Sequence, residues 1–184
     1  MNTKSTKSNQ AYKLEHLQIL VVDDSRSMRG LVVEILRELG VGKVSYATDG
    51  ANAMKMIDPA SKRGSAFDEI LNFDIVISDW MMEPVSGIEL LQWMRSHTNE
   101  SIKYMPFIML TGYSDQKRIL TARDAGMTEF LAKPISVKSL VGHVLTVIDR
   151  PRKFIISEKF VGPDRRRKSM PIEFPDRRVS NKKD

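Results

Sequence analysis

The chain alternates between short apolar runs and longer segments in which apolar residues recur at helical spacing. The clearest run, residues 17–22, is almost wholly Leu, Ile and Val and leads into the acidic pair Asp23-Asp24. Three more runs end at a polar residue in the same way: residues 73–77 lead to Asp79, 106–110 to Thr111, and 129–132 to Lys133. Strands that are apolar on both faces are typical of a parallel sheet covered by helices.

The segments between these runs carry signals for helices. Ser25 is a suitable N-cap for a helix that ends before Gly40, and Asp49-Gly50 turns the chain from a short strand at residues 44–47 into a second helix. Further helices are predicted over residues 88–96, from Ser114 to about residue 125, and from Ser136 to about residue 148. The alternation predicts an α/β fold of five βα units around a five-stranded, doubly wound parallel sheet.

Polar side chains at the strand ends are candidates for chemistry. Asp23, Asp24 and Asp79 follow two predicted strands, and Thr111 and Lys133 follow two others. The carboxyl ends of parallel strands meet at one edge of the sheet, where open α/β folds bind ligands. Carboxylates crowded there repel one another unless a hard cation such as Mg²⁺ offsets their charge. A carboxylate nucleophile, a metal, a hydroxyl and an ammonium group are the parts needed to accept a phosphoryl group.

Through these residues the chain, from about residue 18 to residue 147, resembles the receiver domain of two-component response regulators, of the single-domain, chemotaxis-regulator kind. The matching motifs follow the family's order: Asp23-Asp24, Asp79 with Met82 and Gly87 after it, Thr111-Gly112, and Lys133-Pro134. The resemblance implies a flavodoxin-like receiver fold with strand order 2-1-3-4-5.

The resemblance also implies roles for the acidic residues. Asp79 would be the phosphoacceptor. Mg²⁺ would be held directly by Asp24, Asp79 and the backbone carbonyl of Met81, and by Asp23 through water. Roles within the Asp23-Asp24 pair could be partly shared.

Five residues receive further roles by resemblance. Thr111 and Lys133 would bind the phosphoryl oxygens, and Phe130 would move inward as Thr111 shifts, so that the two form a switch. A plain core aromatic is the alternative for Phe130. Met81 and Tyr113, two residues after the nucleophile and two after Thr111, would border the path of the attacking water, and their size predicts slow loss of phosphate.

Composition limits the possible locations of the protein. The chain has 184 residues, of which 41% are hydrophobic, enough for one ordinary core with extensions. No apolar stretch approaches the roughly 20 residues of a membrane span, and the N-terminus lacks the apolar core of a secretory signal. The absence of cysteine excludes disulfides. We therefore predict a cytoplasmic protein without membrane insertion.

Charge divides the chain into parts. Residues 14–150 hold 15 Lys and Arg against 18 Asp and Glu, whereas residues 151–184 hold 11 against 5, so the net charge of +6 belongs to the ends. We predict a disordered leader at 1–13, a receiver domain at 14–150 and a basic, flexible tail at 151–184. Residues 59–72 are an insertion, either a solvent loop or a partner-binding segment.

The predicted tail contains a short motif twice. Pro163-Asp164-Arg165-Arg166 returns as Pro175-Asp176-Arg177-Arg178, twelve residues later. Two short copies cannot form a solenoid, so they are interpreted as linear docking segments. Their guanidinium groups, on Arg165, Arg166, Arg177 and Arg178, suit carboxylates or phosphates. The tail could dock on another protein or fold back on the acidic receiver surface.

The sequence is compatible with three functions for the whole chain. The leading hypothesis is a phosphoacceptor signalling switch, which is not an enzyme in the ordinary sense. A sensor histidine kinase or a histidine phosphotransfer protein would supply the phosphoryl group, and an unknown downstream protein would receive the signal. The first alternative is a nucleic-acid-binding protein that uses the Arg-rich tail under receiver control. The second, a phosphohydrolase with an aspartyl nucleophile, is disfavoured because Met81 stands where such enzymes carry a second acid.

Overall fold

A computed structural model describes residues 14–58, 72–112, 116–157 and 160–164. A single 3-10 turn, Leu14–His16, precedes the first strand. The strands are β1 (Gln18–Val22), β2 (Lys43–Ala47), β3 (Ile75–Asp79), β4 (Phe107–Thr111), β5 (Glu129–Ala132), β6 (Phe154–Ser157) and β7 (Phe160–Pro163). The helices are α1 (Arg26–Glu38), α2 (Gly50–Ile57), α3 (Gly87–Ser96), α4 (Glu100–Lys103), α5 (Gln116–Asp124) and α6 (Val137–Asp149).

The first five strands form one parallel sheet in the order β2-β1-β3-β4-β5. The predicted α/β fold, strand number and strand order are therefore confirmed. Because β1 and β3 are neighbours and β3 pairs with β4, the polar residues that end these strands lie at one edge. In the register, Asp79 pairs with Leu110 and Thr111 pairs with Ala132.

Alternating strand residues build two separate cores, one on each face of the sheet. On one face, Ile19, Val21, Ile75, Ile77, Ile108 and Leu110 pack against Val32 and Leu36 of α1 and Leu140 and Val144 of α6. On the other, Leu20, Val22, Val76, Phe107 and Met109 pack against Ala53 of α2 and Leu90, Leu91 and Met94 of α3. Every residue of β3 and β4 is buried, which explains their nearly continuous apolar sequence.

The helices begin where side-chain acceptors can satisfy their free backbone N–H groups. The hydroxyl of Ser25 accepts a hydrogen bond from the Met28 amide, and the carboxylate of Asp49 accepts one from the Asn52 amide. Ser136 caps α6 in the same way. These three predicted helix starts are confirmed, and each cap contributes about 1 kcal/mol. Ser114 lies outside the described residues. The short helix α4, capped by Asn99, was not predicted.

The chain after α6 differs from the prediction. A flexible tail was expected from residue 151, but β6 and β7 pair antiparallel into a hairpin that packs on the domain. The ring of Phe154 meets Tyr104 edge to face at 5.3 Å, and the Arg95 guanidinium lies 5.1 Å from its centroid. Arg152 donates a hydrogen bond to the carbonyl of Thr128. Residues 154–157 and 160–163 are therefore folded onto the receiver.

The hairpin covers a buried cation. Arg95 is only 5% exposed, and it donates hydrogen bonds to the carbonyls of Gly126 and Lys103. Burial lowers the pKa of Arg95 to about 9. The two carbonyls and the face of Phe154 replace part of the hydration that the guanidinium loses. The hairpin is thus a structural part of the domain.

The hairpin includes the beginning of the first Pro-Asp-Arg-Arg copy. Pro163 is buried at the end of β7, and the Asp164 amide donates a hydrogen bond to the Lys153 carbonyl at 2.7 Å. Arg165, Arg166 and the whole second copy lie outside the described residues, as do the predicted leader and almost all of the predicted insertion. Within the described ranges, no helix is long and apolar enough to cross a membrane.

We predict that Gly87→Ala destabilises the domain, because a Cβ at this position would lie 1.9 Å from the Asp79 carbonyl oxygen. Forcing these backbones apart should lower the free energy of unfolding by about 1–3 kcal/mol in urea denaturation. Gly30→Ala is the matched control, since Gly30 lies in α1 with nothing within 4 Å of a new Cβ. That variant should gain up to about 1 kcal/mol. Equal stability of the two variants would contradict the close approach.

Candidate functional site

Three carboxylates meet at the carboxyl edge of the sheet. Asp79 is the last residue of β3, and Asp23 and Asp24 directly follow β1, the neighbouring strand. One carboxylate oxygen from each lies within 4.8 Å of the others. Asp23 and Asp79 are buried, whereas Asp24 is exposed and opens the cluster to solvent. The structure therefore brings together the three acids that the sequence predicted.

Lys133 joins two of these acids. Its ammonium nitrogen lies 2.9 Å from Asp79 Oδ1 and 3.1 Å from Asp23 Oδ2. Lys133 directly follows β5, so the β3-β4-β5 pairing carries it to the cluster. Its amide also donates a hydrogen bond to the Thr111 carbonyl at 2.8 Å, which ties it to the end of β4. The ammonium group is thus held beside the candidate nucleophile.

Burial and charge act in opposite directions on these groups. Burial raises the pKa of Asp23, although the hydrogen bond and charge of Lys133 oppose this effect. Burial alone would lower the pKa of Lys133, but the hydrogen bond and charge of Asp79, and then those of Asp23, outweigh it and raise that pKa. Lys133 therefore stays protonated at neutral pH and can act as a fixed cation.

The two adjacent acids have different surroundings. Asp23 Oδ1 accepts a hydrogen bond from the Ser25 amide at 2.8 Å, and its Oδ2 faces Lys133. Both oxygens of Asp23 are thus already engaged, whereas Asp24 is exposed. This difference favours Asp24 as a direct metal ligand and Asp23 as a ligand acting through water.

The donor set fits a small divalent cation. The Lys133 ammonium contacts two of the three carboxylates, so three negative charges stand against one positive charge when all of these groups are ionised. Mg²⁺ prefers oxygen ligands, and a partly exposed position lets it keep some of its water. The acidic cluster thus has the chemistry of a magnesium site.

The two predicted switch residues lie on adjacent strands. Thr111 ends β4 and is buried, 2% exposed, beside the Lys133 backbone. Phe130 is half-buried on β5, an edge strand, opposite Met109. Because β5 has a neighbour on one side only, Phe130 has more freedom to move than a residue of β3 or β4.

Two residues are predicted to slow the loss of phosphate, and the structure describes one of them, Met81. The Met81 side chain is 56% exposed, and its sulfur lies 3.8 Å from a guanidinium nitrogen of Arg118. Arg118 is on α5, so this contact connects the loop after Asp79 to that helix. No local pattern around Arg118 indicates this contact. Tyr113 lies outside the described residues.

Comparison with known proteins decides the family. The family model for the response regulator receiver domain matches residues 19–145. The chain belongs to this receiver family. Chemotaxis protein CheY-3 of Vibrio cholerae serotype O1 is 32% identical to this receiver over 136 residues, which cover 74% of this chain and 95% of the relative. Chemotaxis protein CheY of Pseudomonas aeruginosa is 30% identical over 134 residues, covering 73% and 98%.

Solved structures of receivers show the same fold. The chemotaxis response regulator CheY4 of Vibrio cholerae matches with a TM-score of 0.58 at 28% identity, over 71% of this chain and 98% of that one. The receiver domain of Francisella response regulator 1452 matches with a TM-score of 0.60 at 25% identity, over 73% and 98%. The resemblance predicted from the strand-end residues is therefore confirmed. Such receivers are signalling regulators of two-component systems and not classical enzymes.

Sequence reasoning missed one basic residue beside the receiver's acidic pair. Arg29 of α1 donates a hydrogen bond to the Asp23 carbonyl at 2.7 Å, and its guanidinium lies 5.3 Å from the ring centroid of Tyr46 on β2. Arg29 thereby ties the turn after β1 to a neighbouring strand. A signal was present, because α1 has arginines and no acid near its N-terminus, where the helix dipole disfavours cations. This signal applies to Arg26 as well as to Arg29, so the sequence does not choose between them.

We predict that Arg29→Ala weakens Mg²⁺ binding about tenfold, because groups that orient metal ligands typically contribute that much. The fluorescence of Trp80, the residue after Asp79, can follow the titration. Arg26→Ala is the matched control, since Arg26 is an exposed arginine of the same turn. Loss of a positive charge near the acidic cluster would by itself tighten Mg²⁺ binding, so weakening confined to Arg29→Ala would identify a positioning effect. Unchanged or tighter binding in Arg29→Ala, or equal weakening in both variants, would contradict the prediction.

Proposed function

We propose that this receiver is a phosphoacceptor switch in which Asp79 takes a phosphoryl group from a histidine kinase or a histidine phosphotransfer protein. The observation that supports the proposal most strongly is the position of the Lys133 ammonium, 2.9 Å from Asp79 and 3.1 Å from Asp23. A buried carboxylate next to a permanent cation can be approached by the anionic oxygens of a phosphoryl donor.

The proposed transfer is a displacement at phosphorus. A carboxylate oxygen of Asp79 attacks the phosphorus of a phosphohistidine, a P–O bond forms, and the P–N bond breaks as the imidazole leaves. Lys133 can then exchange its contact with the free Asp79 carboxylate for one with a phosphoryl oxygen, and the Thr111 hydroxyl can donate a hydrogen bond to another. Mg²⁺ would be held directly by Asp24, Asp79 and the Met81 carbonyl, and through water by Asp23. When bound, the ion offsets the negative charge of the phosphoryl group.

The proposed switch follows from the same exchange of contacts. If Thr111 shifts toward the phosphoryl group, space opens behind it at the adjacent strand. Phe130, half-buried on the edge strand β5, is the aromatic side chain proposed to move into that space. The result would be a changed surface around β5, which a partner protein can distinguish.

Slow loss of phosphate is also part of the proposal. Met81 and Tyr113 are proposed to hinder the approach of water to the aspartyl phosphate. The contact between Met81 and Arg118 supports this for Met81, because it holds the thioether toward α5. A slow reversal suits a regulator whose signal must last until its partner is found.

Two further parts of the proposal concern location and output. A cytoplasmic location, where kinases of this class deliver phosphoryl groups, is proposed from the composition. The output is proposed to be protein binding in which Arg165, Arg166, Arg177 and Arg178 contribute. Nucleic-acid binding through the same arginines is the second candidate, which a steep dependence of binding on salt would favour.

We expect Asp79→Asn to abolish phosphorylation, because an amide oxygen is a far weaker nucleophile than a carboxylate. Incubation with Mg²⁺ and a small phosphodonor such as acetyl phosphate should add the mass of one phosphoryl group to the native chain and none to the variant. Asp74→Asn, an exposed acid just before β3, is the matched control and should react normally. Undiminished labelling of the Asp79 variant would disprove the assignment.

We expect the two possible tail deletions to behave differently. Removing residues 165–184 should leave phosphorylation and stability unchanged but abolish capture of a protein partner, because it removes the four arginines. Removing residues 151–184 should also uncover Arg95 and lower the free energy of unfolding by about 1–2 kcal/mol, since the Phe154 packing is lost. Thermal melts and cross-linking capture can measure both effects. Full capture by the shorter chain would place the output surface on the receiver itself.

A further inference from the structure

The β6-β7 hairpin lies at the end of the sheet opposite the acidic cluster. Its contacts are with Arg95 at the end of α3, Tyr104 before β4, and Gly126 and Thr128 before β5. These residues precede the amino ends of β4 and β5, whereas Asp79 stands at a carboxyl end. A hairpin of two short strands is marginal alone, and here the domain holds it in place.

The outer edge of β6 carries backbone groups that no other strand of the described residues uses. Pairs in an antiparallel ladder alternate between hydrogen-bonded and non-hydrogen-bonded, and the Asp164 amide bonds to the Lys153 carbonyl. In the observed register, Ile155 therefore bonds to β7, while the N–H and C=O groups of Phe154 and Ile156 point away from it. Pro163 opposite Phe154 has no N–H, which agrees with this alternation. Among the described residues, no strand pairs with this edge.

The same strand exposes apolar side chains. Ile155 is 41% exposed and Ile156 is 63% exposed, although each is a large aliphatic residue. Exposed edge strands with apolar side chains tend to pair with another strand, and soluble proteins usually protect such edges with charges or proline. Within β6 itself, Phe154–Ser157, the sequence has neither a charge nor a proline.

We propose that β6 pairs antiparallel with β6 of a second copy of this chain, which joins the two hairpins into a four-stranded sheet. The outward groups of Phe154 in one copy would bond to those of Ile156 in the other, and the reverse pair would form by symmetry. A two-fold axis then passes between the two Ile155 residues, which face each other as a non-hydrogen-bonded pair. Such an interface uses the same surface on both copies.

Charge favours this register over the one centred two residues earlier. It sets Lys153 of one copy opposite Ser157 of the other, so no like charges meet within the paired segment. A register centred two residues earlier would place the two Lys153 ammonium groups opposite each other, which is destabilising. It would also lose the pairing of Ile156 with Phe154.

The position of this interface has a consequence for signalling. Because the hairpin lies beyond the amino ends of the strands, pairing leaves the Asp79 edge of each copy accessible to a phosphodonor. It also brings two copies of the segment that begins at Arg165 into one assembly. Two such segments held together raise the effective concentration of their arginines at a shared target.

A single introduced cysteine tests the register, since the native chain contains no cysteine. In a non-hydrogen-bonded antiparallel pair the Cα atoms are about 4.5 Å apart, within the range that a disulfide spans. Ile155→Cys in the full chain should therefore form a disulfide-linked dimer under mild oxidation. Ile156→Cys is the matched control: it is more exposed, but its two copies would be about 8 Å apart, so it should link at least about tenfold more slowly.

Two further pairs of variants separate strand pairing from other causes. Ile156→Pro removes an outward N–H that β7 does not use and should abolish dimers in sedimentation experiments, while Ile156→Thr keeps that N–H and should retain them. Leu120→Lys and Val137→Lys alter exposed apolar residues of α5 and α6 and should leave the dimer intact. Three results would each overturn the proposal. The first is disulfide formation by Ile156→Cys as fast as by Ile155→Cys or faster, and the second is a native chain that is monomeric at the concentration used for linking. The third is loss of the dimer only in the α5 or α6 variants.

Discussion

The receiver depends on one cation, Lys133, that forms ion pairs with carboxylates at the ends of two other strands. Lys133 is separated from Asp23 by 110 positions in the sequence, yet its ammonium contacts both Asp23 and Asp79. Without this cation, buried carboxylates would stand side by side with only their mutual repulsion. The parallel order of β1, β3, β4 and β5 is what allows the contact, because it places the four strand ends along one edge. The strand order that defines the fold is thus also the order that the candidate chemistry requires.

Close backbone approaches hold the loop that follows the candidate nucleophile. The Gly87 amide bonds to the Trp80 carbonyl, and a side chain at position 87 would collide with the Asp79 carbonyl. A second approach joins Gly50, at the start of α2, to the Val85 carbonyl. Rigid support of this kind matters because the charges around Asp79 must remain in place while a phosphoryl group arrives and leaves.

Strand β5 connects the two ends of the molecule. Lys133 follows its carboxyl end at the acidic cluster, while Thr128 precedes its amino end and accepts a hydrogen bond from Arg152 of the hairpin segment. Phe130, which is half-buried, lies between them on β5, an edge strand of the sheet. The acidic cluster and the hairpin segment therefore both contact residues that flank this one strand. This gives a physical link between the candidate phosphorylation site and the C-terminal extension.

The sequence by itself determined the five-stranded parallel sheet, three of the helix starts and the grouping of Asp23, Asp24, Asp79, Thr111 and Lys133. These features could be predicted because each has a local sequence pattern: apolar runs for buried strands, capping residues for helix starts, and polar residues at strand ends. Only the tertiary structure decided the rest. The contacts of Arg29 join residues from different elements. The two hairpin strands have four residues each, too few to show the alternation of apolar and polar residues typical of a strand. The sequence between them, Glu158-Lys159, is not a typical turn pair. These strands fold against Arg95 and Tyr104, and the local sequence of the strands does not indicate those contacts.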